Sequence, residues 1–223
     1  MPWIVGDIHG CNNELKKLLA MIPDNGTIIF LGDYIDRGPD SRGVVDTILD
    51  LSCDTVCLMG NHESMLLSWF RDRESLEADA FLLNGGLDTF HSYGLGHDCV
   101  WEDIPKKHRD FYDGLELYFE GDDFVAVHAG VNIANGPDMS GQDKEDLLWI
   151  RHEWLRQESF WTGKRVFYGH TPAGKKDPGT GIKPLYGKNS VGLDTGCVYG
   201  GYLTAFNTET GQVIQVKSSY EAV

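Results

Sequence analysis

Asp7, His9, Asp33, Asn61, His128 and His170 each stand just after a short apolar run and within two residues of a glycine. The runs are "WIVGDIHG" (3–10), "IIFLGDYIDRG" (28–38), "VCLMGNHE" (56–63), "FVAVHAG" (124–130) and "VFYGHT" (166–171). Carboxylate, amide and imidazole donors without a thiolate suit Mn, Fe or Zn. Six protein ligands are too many for one ion that must also hold water and substrate, so the set implies two divalent ions sharing a bridge. Mn is placed first, with Fe or Zn as the other choices. Asp33 is the natural bridge, because a carboxylate has two oxygens and its strand would lie centrally. Asn61 supplies a neutral carbonyl oxygen, so two divalent ions outweigh the carboxylates of Asp7 and Asp33 and attract a phosphate dianion. Asp7 and His9 are two apart in what reads as an extended segment, which projects both to one side and toward one ion.

Convergence of residues so far apart in sequence needs a sheet whose strand ends come together. The five runs, rich in Val, Ile and Phe, read as strands covered on both faces, and "SVGLDTG" (190–196) is a weaker sixth. Leu15, Leu18, Leu19 and Ile22 fall on one helix face after a cap at Asn12 or Asn13, and Val44, Val45, Ile48 and Leu49 do so after Asp40 or Ser41. A third helix is expected to open near Ser64, and a fourth to span "KEDLLWIRHEWLR" without interruption. "LELYFEGDDFVAVHAG" reads as a hairpin turning at Gly121 to Asp123, and "YLTAFNTETGQVIQV" as a second. The fold class is α/β, with mixed sheets flanked by helices. Residues 132–146 and 171–190 are expected surface loops; Lys175, Lys176, Lys183 and Lys188 in the second read first as a solvated loop, and as a second choice as the edge of a substrate groove.

The 223 residues, 41% of them hydrophobic, fit one catalytic domain over 1–223. With 19 Lys and Arg against 34 Asp and Glu, the formal charge of −15 excludes a broad electrostatic grip on nucleic acid or an anionic membrane. Five scattered cysteines read as free thiols in a reducing compartment, with Cys53 and Cys57 in the core rather than on zinc. A strand beginning at Trp3 leaves no room for a leader, and no apolar run spans a bilayer, so a cytoplasmic location is expected.

The motifs GDIHG (6–10), GDYIDRG (32–38), GNHE (60–63), HAG (128–130) and GHT (169–171) resemble the signature series of the phosphoprotein phosphatase superfamily of calcineurin-like metallophosphoesterases. "LDTGCVYGGYLTAF" (193–206) extends the likeness toward the bacterial and bacteriophage lambda-type branch and the symmetrical diadenosine tetraphosphate hydrolases. The resemblance implies two mixed β-sheets packed as a sandwich in a four-layer αββα arrangement. It implies that Asp7, His9 and Asp33 hold one ion and that Asp33, Asn61, His128 and His170 hold the other. It further implies that a hydroxide bridging the ions attacks phosphorus, that His62 protonates the leaving oxygen, and that Asp36 orients His62. Arg37 would grip non-bridging phosphate oxygens, and Arg151 in "LLWIRHEW" resembles a second substrate arginine.

Three functions follow from these residues. The first is a phosphatase acting on phosphoproteins of the serine/threonine type, on phosphotyrosine, or on phosphorylated small molecules. The second is a hydrolase that splits dinucleoside polyphosphates symmetrically, and the third a catalytically inactive binding module that keeps the fold. The presence of every ligand and of the Asp36 and His62 pair speaks against the third, and the absence of an obvious segment enclosing two adenosines favours the first. The motifs do not encode the oligomeric state, and a monomer is the working expectation. His91, His97, His108 and His152 are expected to be structural, as are Asp40 and Asp46 on their helix. Asp194 could orient a site residue or shape a turn, and Trp149, Trp154 and Trp161 could stack a base but are expected in the core.

Overall fold

The computed structural model describes residues 2–23, 26–172 and 182–220. In chain order its elements are β1 (Trp3–Val5), α1 (Asn12–Leu19), β2 (Ile28–Phe30), α2 (Ser41–Leu49), β3 (Thr55–Cys57) and α3 (Asn61–Arg71). There follow α4 (Leu76–Phe81), α5 (Leu87–Tyr93), α6 (Lys106–Asp113), β4 (Tyr118–Glu120), β5 (Phe124–Val127), α7 (Lys144–Trp149) and α8 (His152–Gln157). The chain closes with β6 (Arg165–Tyr168), β7 (Leu185–Tyr186), β8 (Ser190–Gly192), β9 (Tyr202–Asn207) and β10 (Val213–Lys217).

The strands form two five-stranded mixed sheets, ordered β10-β9-β1-β2-β3 and β4-β5-β6-β8-β7. In each, the three strands that carry the site motifs or lie beside them run parallel, β1-β2-β3 in one and β5-β6-β8 in the other. Antiparallel strands complete both sheets, including the two expected hairpins β4-β5 and β9-β10. Alternation along the strands divides the core. Ile4, Ile29, Phe124, Ala126, Phe167 and Val191 pack between the sheets. Trp3, Val5, Ile28 and Phe30 point the other way onto helical residues such as Leu15, Val44 and Leu66. Val125, Val127 and Val166 turn toward Leu147 and Trp154 on α7 and α8. A period of two with both faces covered thus produces the expected four-layer αββα sandwich.

Several details differ from the sequence reading. The fourth helix is two helices, because Ile150 (ψ 137°) and Arg151 (φ −132°, ψ −87°) leave helical geometry between α7 and α8. This break lets the Arg151 guanidinium reach the loop after β6. α3 opens three residues earlier than expected, at Asn61, because Glu63 reaches back to accept from Gly60 N at 3.0 Å. α1 has no side-chain cap, and Asn12 instead donates to Asp40 Oδ2 at 2.7 Å. Asp40 caps α2 by accepting from Gly43 N. The segment expected to be a loop over 171–190 contains β7, while Lys175 and Lys176 lie outside the described residues. Helices α4 to α6 carried no expectation. No helix among the described residues is long and apolar enough to cross a membrane.

Candidate metal centre and active site

Residues that follow β1, β2, β5 and β6, together with the first turn of α3, converge on Asp33. Asp33 Oδ2 lies 3.4 Å from His9 Nε2 and 4.0 Å from His62 Nε2, and Asp33 Oδ1 lies 3.5 Å from His128 Nε2. Asn61 Oδ1 is 3.0 Å from His128 Nε2 and 2.9 Å from His170 Nδ1. Asp7 joins them through Oδ2, which accepts from His170 N at 2.9 Å. Two groups, His9 with Asp33 and His62, and Asp33 with His128 and His170, each bring their ligand atoms within 4.8 Å of one another. Asp33 belongs to both groups, as a bridging carboxylate must.

The backbone here is held in a conformation that side chains ordinarily avoid. His9 (φ 46°), Asp33 (52°), Asp36 (70°), Arg37 (67°) and His170 (62°) all adopt left-handed geometry, and all belong to the site. Each costs on the order of 1–3 kcal/mol and persists only where neighbours over-determine it. The turn at His9 replaces the extended segment expected for residues 7–9. Glu63 over-determines the turn at Asp33: its buried carboxylate accepts from Gly60 N, Asp33 N (2.9 Å), Tyr34 N (2.8 Å) and Ile35 N (3.3 Å). Gly60 must be glycine, because a Cβ would collide with Asp33 N and Oδ1.

The donor atoms fit a pair of cations. His9 Nδ1 donates to Ile35 O at 2.8 Å and His128 Nδ1 to Leu31 O at 2.9 Å, which turns both Nε2 lone pairs inward. Burial pushes the imidazole of His9 down to about 3 and that of His170 to about 2, and lowers His128 as well. The neutral His128 ring therefore aims a lone pair at two oxygens with no proton between them. Asp7 Oδ1 and His170 Nε2 are buried with no hydrogen-bond partner. Buried acceptors crowded together without donors are costly, and a cation relieves them. Burial, then Asp194 and Asp33, raise the Asp7 carboxyl well above its ordinary range. Burial also pushes Asp33 up, but the imidazoles of His128, His62, His9 and His170 hold it well below the usual carboxylate range.

Beside this cluster, His62 Nδ1 and Asp36 Oδ2 lie 2.6 Å apart. Asp36 is fixed in turn by Thr89 Oγ1, which donates to Oδ1 at 2.6 Å, while Asp36 N lies 2.9 Å from Thr89 Oγ1 and 3.1 Å from Ser41 Oγ. Burial acts to lower His62, yet Asp33 and Asp36 together raise it. Arg37 N donates to Gly85 O at 3.4 Å in the kink between α4 and α5, and its guanidinium donates from Nη1 to His9 Nε2 at 2.8 Å. The same guanidinium lies over the exposed ring of Tyr199, 5.8 Å from its centre. Arg151 Nη1 donates to His170 O (2.9 Å) and Thr171 Oγ1 (3.2 Å).

All ten residues singled out in the sequence thus lie in one neighbourhood. Glu63, Ser41, Thr89, Gly85 and Tyr199 were not singled out. Glu63 stood within the GNHE motif and Tyr199 within "TGCVYGG", but the others carried no local signal. Asp194 does shape a turn, accepting from Gly196 N at 2.9 Å, and its burial raises it to about 6 beside the cluster. Trp154 and Trp161 are core residues, whereas the half-buried Trp149 meets His170 edge-on at 6.0 Å. His108 is fully buried and bonded to Tyr93 and Asp46.

Residues 2–195 match the calcineurin-like phosphoesterase family. Serine/threonine-protein phosphatase 1 of Salmonella typhimurium is 31% identical over 206 residues, covering 91% of this chain and 89% of that protein. Bis(5'-nucleosyl)-tetraphosphatase PrpE (asymmetrical) of Anoxybacillus flavithermus is 28% identical, covering 97% of this chain and 94% of that protein. Among solved structures, that of a candidate diadenosine tetraphosphatase superposes with a TM-score of 0.69 at 25% identity, covering 97% of this chain and 93% of that one. A cold-active protein tyrosine phosphatase shares the fold at a TM-score of 0.60 and 15% identity, covering 97% of this chain and 78% of that one.

Proposed function

The chain belongs to the calcineurin-like phosphoesterases, and from that premise we propose that it is a metal-dependent protein phosphatase of the serine/threonine type. What carries the proposal is the buried His62, backed by Asp36 at 2.6 Å and set beside the Asp33 cluster. Alkoxide leaving groups such as those of phosphoserine and phosphothreonine need a proton as the ester bond breaks, and a positioned imidazolium provides one. The relative from Salmonella typhimurium, named as a serine/threonine phosphatase, supports the same class.

In this proposal Asp7, His9 and Asp33 hold one divalent ion, Mn by preference, and Asp33, Asn61, His128 and His170 hold the second. When bound, such ions activate water for in-line attack and offset charge on the phosphoryl oxygens. His62 delivers its proton from Nε2 to the leaving oxygen, while Asp36 keeps Nδ1 engaged and the ring aimed. Arg37 exchanges its bond to His9 Nε2 for non-bridging phosphate oxygens, with its planar fork suited to two at once. Arg151, anchored at the loop that carries His170, contributes the second cationic contact. We read residues 1–223 as a single catalytic domain.

A second reading is cleavage of a dinucleoside tetraphosphate, favoured by the relatives of that name and by two aromatic rings flanking the site. Tyr199 is 52% exposed beside Arg37, and Trp149 adjoins His170, so each could stack a base. The related proteins are named for the asymmetrical cut, whereas the symmetrical cut was the expectation from sequence. The products separate the two, since a symmetrical cut yields one nucleoside diphosphate species and an asymmetrical cut a mono- and a triphosphate. The test is kcat/KM of the Mn-loaded chain on phosphoserine peptide, phosphotyrosine peptide and diadenosine tetraphosphate. A large preference for the dinucleotide overturns the phosphatase proposal.

A further inference from the structure

Cys11, Glu14 and Cys197 form a second cluster of ligand atoms, separate in chemistry from the Asp33 centre. All three side chains are buried, and their sulfur and carboxylate atoms lie within 4.8 Å of one another. Cys11 stands at the N-cap position of α1 without capping it, and Glu14 sits three residues further on the same face, so both turn toward the loop that carries Cys197. The neighbouring Cys11 thiol and burial push the Cys197 thiol up. Both hydrogen bonds from Ser219, at 2.9 Å from N and 2.5 Å from Oγ, fall on Glu14 Oε1. A cavity of about 100 Å³, lined by Gly10, Cys11, Asn12, Glu14, Ser219 and Tyr220, opens onto the group.

We propose that Cys11, Cys197 and Glu14 form a binding site for a thiophilic d10 divalent cation such as Zn²⁺ or Cd²⁺. Two thiolates and a carboxylate supply three corners of a tetrahedron, and a water in the adjoining cavity completes it. Binding forms two metal–sulfur bonds and releases the two thiol protons to solvent. The site joins two loops of the active centre, since Cys11 follows His9 by two residues and Cys197 opens the turn that ends at Tyr199. An ion there would tie the residues after His9 to the turn that carries Tyr199, at a place distinct from the Asp33 centre.

The experiment uses the reduced, Mn-saturated full chain titrated with Cd²⁺ alone, read by thiolate-to-cadmium charge-transfer absorbance in the ultraviolet. The Asp33 centre offers no thiolate and is silent in this band. The expected result is a band saturating at one equivalent, lost in Cys11→Ser and in Cys197→Ser, retained in Cys53→Ser, and formed roughly tenfold more weakly in Glu14→Gln. In the unmodified chain a thiol reagent reaches the buried Cys11 and Cys197 only through slow local opening, and Zn²⁺ should slow this labelling of two of the five thiols at least roughly tenfold, which tests the site even if the serine variants do not fold. A band that survives both serine substitutions, or no protection by Zn²⁺, overturns the proposal. So does a Cys11–Cys197 disulfide formed with oxidised glutathione by a chain that gives no cadmium band, because the pair is then a redox couple.

Discussion

Asp36 Oδ2 lies 2.6 Å from His62 Nδ1, while the other nitrogen of the same ring stands 4.0 Å from Asp33 Oδ2. An imidazole set between two carboxylates keeps its proton to higher pH than burial alone would allow, and His62 is raised accordingly, by Asp33 first and Asp36 next. As an acid, His62 works only while protonated, so activity is full below its folded pKa and declines as pH rises through it. Bound cations offset the charge of Asp33, so in the metal-loaded chain the position of that decline rests chiefly on Asp36. His62→Asn should remove this alkaline limb and lower kcat on a phosphoserine peptide by about 10² to 10⁴-fold. On p-nitrophenyl phosphate, whose leaving group barely needs a proton, the loss should be far smaller. Equal losses on both substrates would remove His62 from the acid role.

Thr89 reaches His62 only through Asp36, and this makes it a positioning residue with its own signature. Thr89→Val deletes the hydroxyl that donates to Asp36 Oδ1 at 2.6 Å and bonds Asp36 N. The freed Asp36 should hold His62 less well, so kcat on phosphoserine peptide should fall by roughly tenfold, a 1.4 kcal/mol effect, with KM little changed. The alkaline limb should move while Mn content stays at the wild-type level. Thr89→Ser should restore most of the loss. A serine variant as poor as valine would show that packing, and not the hydroxyl, matters.

Thr89 also marks where sequence reading ends. The candidate ligands were legible because each lies just past a short apolar strand and within two residues of a glycine, a local pattern that topology turns into convergence where strand ends of the two sheets meet. Thr89, Ser41 and Gly85 have no such pattern. They act through contacts with the turn at Asp36 and Arg37, about fifty residues away for Thr89 and Gly85, and nothing in their own neighbourhood announces it. The break between α7 and α8 was hidden for a related reason. "DLLWIRHEWL" has no Pro or Gly and keeps a helical apolar spacing, and only the tertiary placement of Arg151 beside His170 accounts for the kink. Sheets flanked by helices were legible because strands covered on both faces lose the polar alternation that a solvated sheet would keep, whereas the pairing of two sheets into a four-layer sandwich came from the family resemblance.

Among the described residues Asp33 is the carboxylate that both ligand groups share, and its removal should therefore affect two ions at once. Asp33→Asn preserves volume but takes away the charge that balances the cations. Metal analysis after desalting should show a fall from two bound Mn per chain to fewer than one, and activity should drop to background. Asn61→Ala, confined to the second group, should retain about one ion. If Asp33→Asn kept two ions, the shared-ligand assignment would fail.

Glu63 gives a prediction about stability, since both of its oxygens are taken by backbone N–H groups. It bonds the N–H groups of Gly60, Asp33, Tyr34 and Ile35, and burial raises it to about 8. Glu63→Ala leaves these donors without their acceptor in a buried turn, at a cost on the order of 3 kcal/mol or more. For a chain of this size that corresponds to a Tm lower by roughly 6–12 °C. Glu63→Gln, which keeps two polar atoms but only one acceptor, should fall between. The measurement is thermal unfolding of metal-free protein, so that metal loss is not mistaken for the effect. A Tm unchanged in Glu63→Ala would mean that the left-handed Asp33 turn is held by something else.

His108 gives a pH dependence far from the metal centre. It is fully buried, with Nδ1 2.7 Å from Tyr93 Oη and Nε2 3.0 Å from Asp46 Oδ1. Burial lowers its pKa, and although Asp46 opposes this, the net direction is down. Below about 6.5 the unfolded chain then binds a proton that the folded chain does not, so stability is full above that pH and falls as pH drops through the window. Asp46 has the same sign in a lower range. The bonds from Lys107 and His108 outweigh its partial burial and hold its carboxyl below the ordinary 3.8, so its contribution is lost only as pH falls beneath that value. His9, His128 and His170 also lose stability on acidification in the metal-free chain, and the informative quantity is therefore a difference between variants. Between pH 7 and pH 5, His108→Gln should unfold with a shallower pH slope than the parent chain. The difference is bounded by about 1.4 kcal/mol per pH unit, the value for one proton. Parallel slopes would show that His108 takes up its proton equally in the folded and unfolded chain, and that its bond to Asp46 offsets burial completely.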